Sequence, residues 1–405
     1  MRILFVAIPF SVHSARHINQ IADEGWDLHV FPAFESALHA DFRNVTAYYV
    51  FDRQPNPRVR AKTLWPLRVG GDRLRLFSSQ FPARWFSRAA WLARVIRRVE
   101  PDLLCTLEFQ RAGYLALEAK ALYRGRFPPW IAANWGSDIA LYGPLSGHRE
   151  KVKAILANCD YYSCECHRDV ALAREYGFTG KVLPVLPNAG GFDLERAAEY
   201  RQPGPVSARR LIALKGYQTW AGRAMAGLRA IELCADLLRA KGFSVAVYSA
   251  DENVQIAAER ASLATGLPIE IIRYSSHEDM LRLHGRARVS IGLSIGDGLS
   301  TSALEAIVMG SFPVQSDTSC LTELVRDGET ALIVPPEDPA EIAAAIRRAA
   351  SDDDLVDRAA AANALVAAEH LKYSTIQSQV VAMYESAAAD AARLRSAGEA
   401  GSGGV

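Results

Sequence analysis

Residues 289–315, VSIGLSIGDGLSTSALEAIVMGSFPVQ, decide how this chain folds. Residues 289–294 are a short apolar, β-branched run, the pattern of a buried strand. Gly296, Asp297 and Gly298 break it. Ser300, Thr301 and Ser302 then offer N-cap oxygens, and Ser302 with Glu305 has the spacing of a capping box. A helix is expected to about Met309, with Gly310 in the left-handed C-terminal position and 312–315 as a second strand. The result is a β-α-β unit with a glycine-rich turn before the helix. Such a turn aims backbone N–H groups and the positive helix end at one point, which suits a phosphate.

Asp297 and Glu305 mark the same stretch, eight positions apart. The pattern resembles the acid-x7-acid signature of retaining GT-B glycosyltransferases, family 4 in particular. Leu304-Glu305-Ala306, Gly310 and Pro313-Val314 follow that family's donor site. The family usually has Glu first, where this chain has the shorter Asp297. The alternative is that Glu305 only caps the helix and Asp297 only makes a turn.

At 405 residues the chain has room for roughly two to three domains. Half of it is hydrophobic and its net charge is +1, so the molecule as a whole has no polyelectrolyte character. The six cysteines form no CxxC pair, and Cys164-Glu165-Cys166-His167 is too tight for a usual zinc site. They read as buried thiols of a reducing compartment, which places the protein in the cytoplasm. No run of eighteen apolar residues suggests a membrane span, and residues 3–8 read as a first strand rather than a signal peptide.

That first strand opens a doubly wound α/β domain, with a helix near 15–24 and a second strand at 27–31. His13 and His17 stand four apart without the intervening Glu of a metalloprotease, so they read as loop and helix residues rather than zinc ligands. In the resembled family this loop faces the inter-domain cleft, which makes His13 and Arg16, along with Ser11, candidates for contact with the acceptor or the donor phosphate. Residues 53–98 carry twelve Arg or Lys against one acid, Asp72, with Phe77, Phe81, Trp85, Phe86 and Trp91 interleaved. A segment of this kind suits an anionic membrane surface. Its alternatives are a nucleic-acid contact, which no dedicated motif supports, or a helix with buried aromatics and solvated arginines. Further strands are expected at 101–106 and 130–133. The loops after them, Glu108 onward and Asn134-Trp135-Gly136-Ser137-Asp138, resemble family-4 ligand loops at strand carboxyl ends. Trp135 stands where the family often has His, so no imidazole is available at that position. Glu108, Trp135 and Asp138 are the acceptor-side candidates.

Pro187-Asn188-Ala189-Gly190-Gly191 looks like the family's hinge, and residues 192–207 read as polar and irregular. The second half starts near a strand at 210–214, followed by a loop to Arg223 and a helix to about Lys241. The family places two cations after this strand for the donor diphosphate. Lys215 with Arg223 lies at the strand's carboxyl end, whereas Arg210 precedes the strand. Tyr274 and Ser275 sit where the family packs the nucleotide base, and His277 begins the next helix. Asp352-Asp353-Asp354 reads as a solvated turn between helices.

The resemblance therefore implies a GT-B fold of two Rossmann-like domains. Residues 1–187 would bind the acceptor and 188–373 the nucleotide sugar. A helix at 374–394 would complete the first domain, before a disordered tail at 395–405. It implies transfer of a sugar from a UDP- or GDP-sugar to a hydroxyl of a glycan or lipid-linked acceptor, in cell-surface polysaccharide or glycolipid synthesis. Asp297 would hold the donor sugar and Glu305 the ribose. Lys215, Arg223 and the amides of Gly298, Leu299, Ser300 and Thr301 would stabilise the leaving diphosphate without a metal or cofactor. A sugar-nucleotide epimerase of the same fold and a catalytically inactive GT-B binding protein are the alternative readings.

Overall fold

The protein is described here from a computed structural model covering residues 1–51, 56–64, 87–273 and 276–402, without the side chains of 394, 395 and 397–402. The chain divides into two compact units, 1–190 with 377–405, and 191–376. The first unit holds an eight-stranded sheet in the order β4-β3-β2-β1-β5-β6-β7-β8. Its strands are β1 Arg2–Ala7, β2 Asp27–Pro32, β3 Val45–Tyr49, β4 Val59–Thr63, β5 Leu103–Leu107, β6 Trp130–Ala133, β7 Tyr161–Ser163 and β8 Lys181–Val182. Every pairing is parallel. A parallel sheet needs both faces covered, and the central strands are accordingly almost pure hydrocarbon, with Ile3, Leu4, Phe5 and Val6 fully buried.

The second unit repeats the plan with six parallel strands, in the order β11-β10-β9-β12-β13-β14. These are β9 Leu211–Lys215, β10 Ser244–Tyr248, β11 Ile269–Ile272, β12 Ala287–Gly292, β13 Phe312–Ser316 and β14 Leu332–Val334. The strand order reverses between β1 and β5 in one unit and between β9 and β12 in the other. Each reversal opens a crevice beyond the strands' carboxyl ends, the place where open α/β sheets bind ligands.

Several expectations need correction. The segment after the hinge is not irregular: Asp193 accepts from the Arg196 amide and caps the helix Leu194–Glu199. The helix after Arg223 is interrupted at Cys234, giving Ala224–Leu233 and Ala235–Ala240. The three consecutive aspartates stand, as expected, at an exposed junction between helices, and two of them also have structural partners. Asp352 caps the helix Asp353–His370, and Asp353 receives Nη1 of the fully buried Arg288 at 2.6 Å. The last helix, Tyr373–Ser402, runs past 394 into the expected disordered tail. Its alanine-rich sequence favours continued helix, and Ser396 Oγ donates back to the carbonyls of Ala392 and Arg393. Residues 403–405 lie outside the described residues.

Most of the basic stretch, including Phe77, Phe81, Arg84, Trp85 and Phe86, also lies outside the described residues. Residues 87–98 of it are structural. The helix Arg88–Val99 buries Leu92, Val95 and Ile96 in the first core, and Arg88 Nη1 pairs with Glu35 at 2.6 Å. Arg94 lies over the Trp91 ring.

The final helix is tied into the first unit by a buried polar contact. Tyr384 Oη lies 2.8 Å from His17 Nε2, while His17 Nδ1 lies 3.0 Å from the Asn188 carbonyl. Burial drives the His17 pKa down to about 4, so the imidazole is neutral in the folded protein. The unfolded chain binds a proton near pH 6.5 that the folded chain refuses until about pH 4. Stability is therefore complete above the unfolded value and falls as the pH drops through this window. Denaturant titration should show the first unit losing about 2 kcal/mol between pH 7 and pH 5. In His17→Gln that pH slope should be largely absent.

Candidate functional site

The second unit's crevice is built by two loops, one after β9 and one after β12. The backbone laces them together. Gly222 and Ser294 form an antiparallel bridge, the Arg223 amide donates to the Leu293 carbonyl at 3.1 Å, and the Ile295 amide to Ala221 at 2.9 Å. The first loop can fold this tightly only with glycine at its turns. A Cβ on Gly222 would sit 1.8 Å from the Tyr217 carbonyl oxygen, and one on Gly216 2.8 Å from Ala250 Cβ. Lys215, the last residue of β9, lies next to the β12 loop, with its ammonium 5.9 Å from the Tyr217 ring centre.

From the second loop rises the helix Thr301–Met309. The expected capping box does not form. Ser300 is the N-cap, and its Oγ meets Ser302 Oγ at 3.0 Å rather than capping a first-turn amide. The first-turn amides thus have no side-chain cap among the described residues, which suits an anion. Gly298 and Leu299 are buried below this turn, and Asp297 Oδ1 accepts from the Gly298 amide at 3.0 Å. Gly310 closes the helix in the left-handed region, as expected.

Glu305 does not cap its own helix because it faces the neighbouring helix His277–Arg286. Its Oε1 lies 3.1 Å from His277 Nδ1 and its Oε2 3.6 Å from His284 Nε2. Glu305 is 6 % exposed and His284 is fully buried. Burial lowers the His284 pKa against the opposing pull of Glu305, with Lys215 and His277 lowering it further. Burial, then the Glu305 charge, pushes the Tyr248 hydroxyl above its ordinary range. Lys215 and Glu305, predicted from sequence, are thus gathered around a histidine that was not. Two histidines seven residues apart lie on one face of a helix, and that spacing was the available signal.

Arg223 sits in the crevice, but its Nε donates to Glu337 Oε1 at 2.6 Å and its Nη1 to the Gly222 carbonyl. Arg210 is at the other end of β9, over the Phe243 ring and bonded to the Ser207 and Arg209 carbonyls. That leaves Arg223 as the arginine on the crevice side. Tyr274 and Ser275 lie outside the described residues.

In the first unit the acceptor-side candidates fall at the ends of β1, β5 and β6. His13 and Trp135 come together edge to face, with ring centres 6.0 Å apart, and Arg16 lies one turn along the helix Val12–Asn19. Glu108 is buried with φ +81°, and its carboxylate receives the amides of Arg111 and Ala112 at 2.8 and 2.5 Å. Asp138 is buried too, and takes the Trp135 amide at 2.7 Å. Burial raises both carboxyl groups, and the Asp138 charge raises Glu108 further. These two acids brace the loops that carry their neighbours.

Residues 229–365 match the family of glycosyl transferases group 1, and residues 2–164 match the family described as glycosyl transferase 4-like. Among solved structures, Anabaena HepE with UDP and glucose superposes with a TM-score of 0.66 at 15 % identity, covering 95 % of this chain and 100 % of HepE. Sucrose-phosphate synthase from Thermosynechococcus elongatus gives 0.66 at 16 % identity, covering 95 % and 99 %. An α,α-trehalose-phosphate synthase from Burkholderia xenovorans, with glucose-6-phosphate, gives 0.66 at 14 %, covering 96 % and 100 %. No curated protein matches the chain significantly. The fold is GT-B, and each unit matches a glycosyltransferase family.

Gly222→Ala should force the β9 loop open. Overpacking of this kind costs about 1–3 kcal/mol, readable as a lower denaturation midpoint with an unchanged m-value.

Proposed function

We propose that this chain is a retaining, family-4-type glycosyltransferase that moves a sugar from a nucleoside diphosphate sugar to a hydroxyl of a glycan or lipid-linked acceptor. The reading is carried by one observation: Lys215 and the buried Glu305 gather about His284 where β9 and β12 part, beside a helix start with no side-chain cap. UDP-sugar is the favoured donor, since HepE has been solved with UDP-glucose.

The chemistry follows from where charge develops. As the bond from the sugar C1 to the diphosphate breaks, negative charge grows on the leaving phosphate. Lys215 is in place to meet that charge, together with Arg223 and the amides of Gly298 to Thr301, without reorganising at the moment of reaction. Glu305 accepts the ribose hydroxyls and Asp297 those of the donor sugar. The acceptor hydroxyl bonds to C1 on the face the diphosphate leaves, and its proton passes to the departing phosphate oxygen. In this reading the donor is a co-substrate, and neither a metal nor another cofactor takes part. His13, Arg16 and Trp135 line the acceptor side, braced by Glu108 and Asp138.

Among the described residues no helix is long and apolar enough to cross a membrane. We place the enzyme in the cytoplasm, in cell-surface glycan assembly, with residues 53–98 touching an anionic bilayer.

Calorimetry should detect binding of UDP, or of GDP or ADP in its place; failure of all three to bind overturns the reading. Glu305→Ala and Lys215→Ala should each lower turnover at least tenfold, about 1.4 kcal/mol of transition-state stabilisation. Turnover should persist in EDTA, and the product should keep the donor's anomeric configuration. For the membrane contact, flotation with anionic liposomes should fall when Arg84, Arg97 and Arg98 are changed to Gln. Equal flotation of both proteins would remove that part.

A further inference from the structure

The partners of Glu305 carry more than a binding-site assignment. A carboxylate buried to this degree needs donors, and here both of its oxygens face imidazoles. His277 is 38 % exposed at its side chain, so solvent can also reach it. His284 is fully buried, and its environment is fixed by protein alone.

That environment determines where the His284 proton sits. Burial keeps the ring neutral, so it carries one N–H. Nε2 faces Glu305 Oε2, and Nδ1 lies 2.8 Å from Ser290 Oγ. A carboxylate only accepts, so a lone pair on Nε2 would oppose it; the proton belongs on Nε2. Nδ1 is then an acceptor, and the Ser290 hydroxyl must donate to it. Ser290 Oγ in turn lies 2.7 Å from Ser311 Oγ, which supplies the next donor. Ser311, Ser290 and His284 form a one-directional chain of hydrogen bonds ending in an N–H aimed at Glu305. At 3.6 Å this N–H is beyond ordinary hydrogen-bond length, and His284 Nε2 has no partner among the described residues. Tyr248 packs edge-on against the ring, centres 5.5 Å apart, and prevents it from turning away.

We infer that His284 is a positioning residue for ribose recognition: it holds the Glu305 carboxylate in place for the nucleotide's 2′,3′-diol through an N–H fixed by Ser290 and Ser311. The inference rests on the proposed role of Glu305 at the ribose. Nothing else in the helix His277–Arg286 accounts for a buried histidine there, since Ser290 and Ser311 could pair with each other without it.

The test uses the full-length protein and two ligands, UDP and 2′,3′-dideoxy-UDP, or the GDP or ADP pair if one of those is what wild type binds. His284→Leu should weaken UDP binding about fivefold, less than the loss of a full hydrogen bond to a charge because the contact is long, and leave the dideoxy analogue within about twofold of wild type. His284→Gln, whose amide nitrogen reaches the Nε2 position, should recover most of the loss. Ser290→Ala frees the tautomer and should produce a smaller loss, again confined to UDP. Where His284→Leu does not fold, the Ser290→Ala and His284→Gln comparisons decide. Equal weakening of both ligands would mean His284 only supports packing, and would overturn the inference while leaving the transferase reading intact. Equal binding of both ligands by wild type would remove Glu305 from the ribose, and the inference with it. No binding of any nucleoside diphosphate would instead defeat the functional proposal.

Discussion

The second unit depends on a constraint that every doubly wound sheet shares: where the strand order reverses, neighbouring loops diverge and leave backbone groups unpaired. Between β9 and β12 this chain closes part of that gap with its own main chain, through the Gly222–Ser294 bridge and the bonds from Arg223 and Ile295. These contacts fix the distance between a loop that carries cations and a loop that carries carboxylates. The glycines at 216 and 222 follow from this, because neither position has room for a Cβ. The helix Thr301–Met309 begins just beyond the lacing, so its positive end is aimed by backbone geometry rather than by a cap.

Charge is distributed unequally between the two ends of this sheet. At the amino ends of β9 and β12, Arg209 and Arg288 are buried and donate to structural groups: Arg209 to the carbonyls of Ala287 and Met309, Arg288 to those of Ala349 and Ser207 and to Asp353. Their role is to tie loops and helices together. At the carboxyl ends Lys215 meets no carboxylate directly among the described residues, and Arg223 draws on the exposed Glu337, a partner that solvent screens. A cation held by buried carbonyls cannot serve a ligand without leaving a hole. A cation at the rim can. That difference separates Arg209 and Arg288 from Lys215 and Arg223 more firmly than spacing along the chain.

The architecture was legible in the sequence where a short apolar run ended at turn-forming or capping residues. β6, β11, β14 and the helix Glu252–Thr265 fall where the pattern placed them. Edge strand β4, residues VRAKT with half-buried and exposed positions alternating, was hidden inside a basic stretch whose charges pointed to solvent rather than to pairing. Asp353 looked like one member of an acidic turn, because nothing local signals that its partner is Arg288, sixty-five residues earlier. Glu305 was read as a site residue, and its spacing from Ser302 suggested a cap. The competing attraction comes from His277 and His284 on another helix, a tertiary contact that no local rule contains. Long-range side-chain pairs of this kind are what sequence periodicity omits.

The same point applies to the first unit's departure from its resembled family. Trp135 occupies a position where the resembled family often has His, and residues 134–138 carry no imidazole. The fold supplies it from another strand. β1 and β6 flank β5 on the same sheet, so the loops leaving their carboxyl ends converge, and His13 lies edge-on against the Trp135 indole. Trp135 Nε1 has no partner among the described residues, while its own amide is held by Asp138. An indole N–H, an imidazole and a braced backbone are thus assembled at one place from residues more than a hundred positions apart. What a strand-end site requires is a set of groups in space, and parallel sheets can draw the same group from whichever loop arrives there.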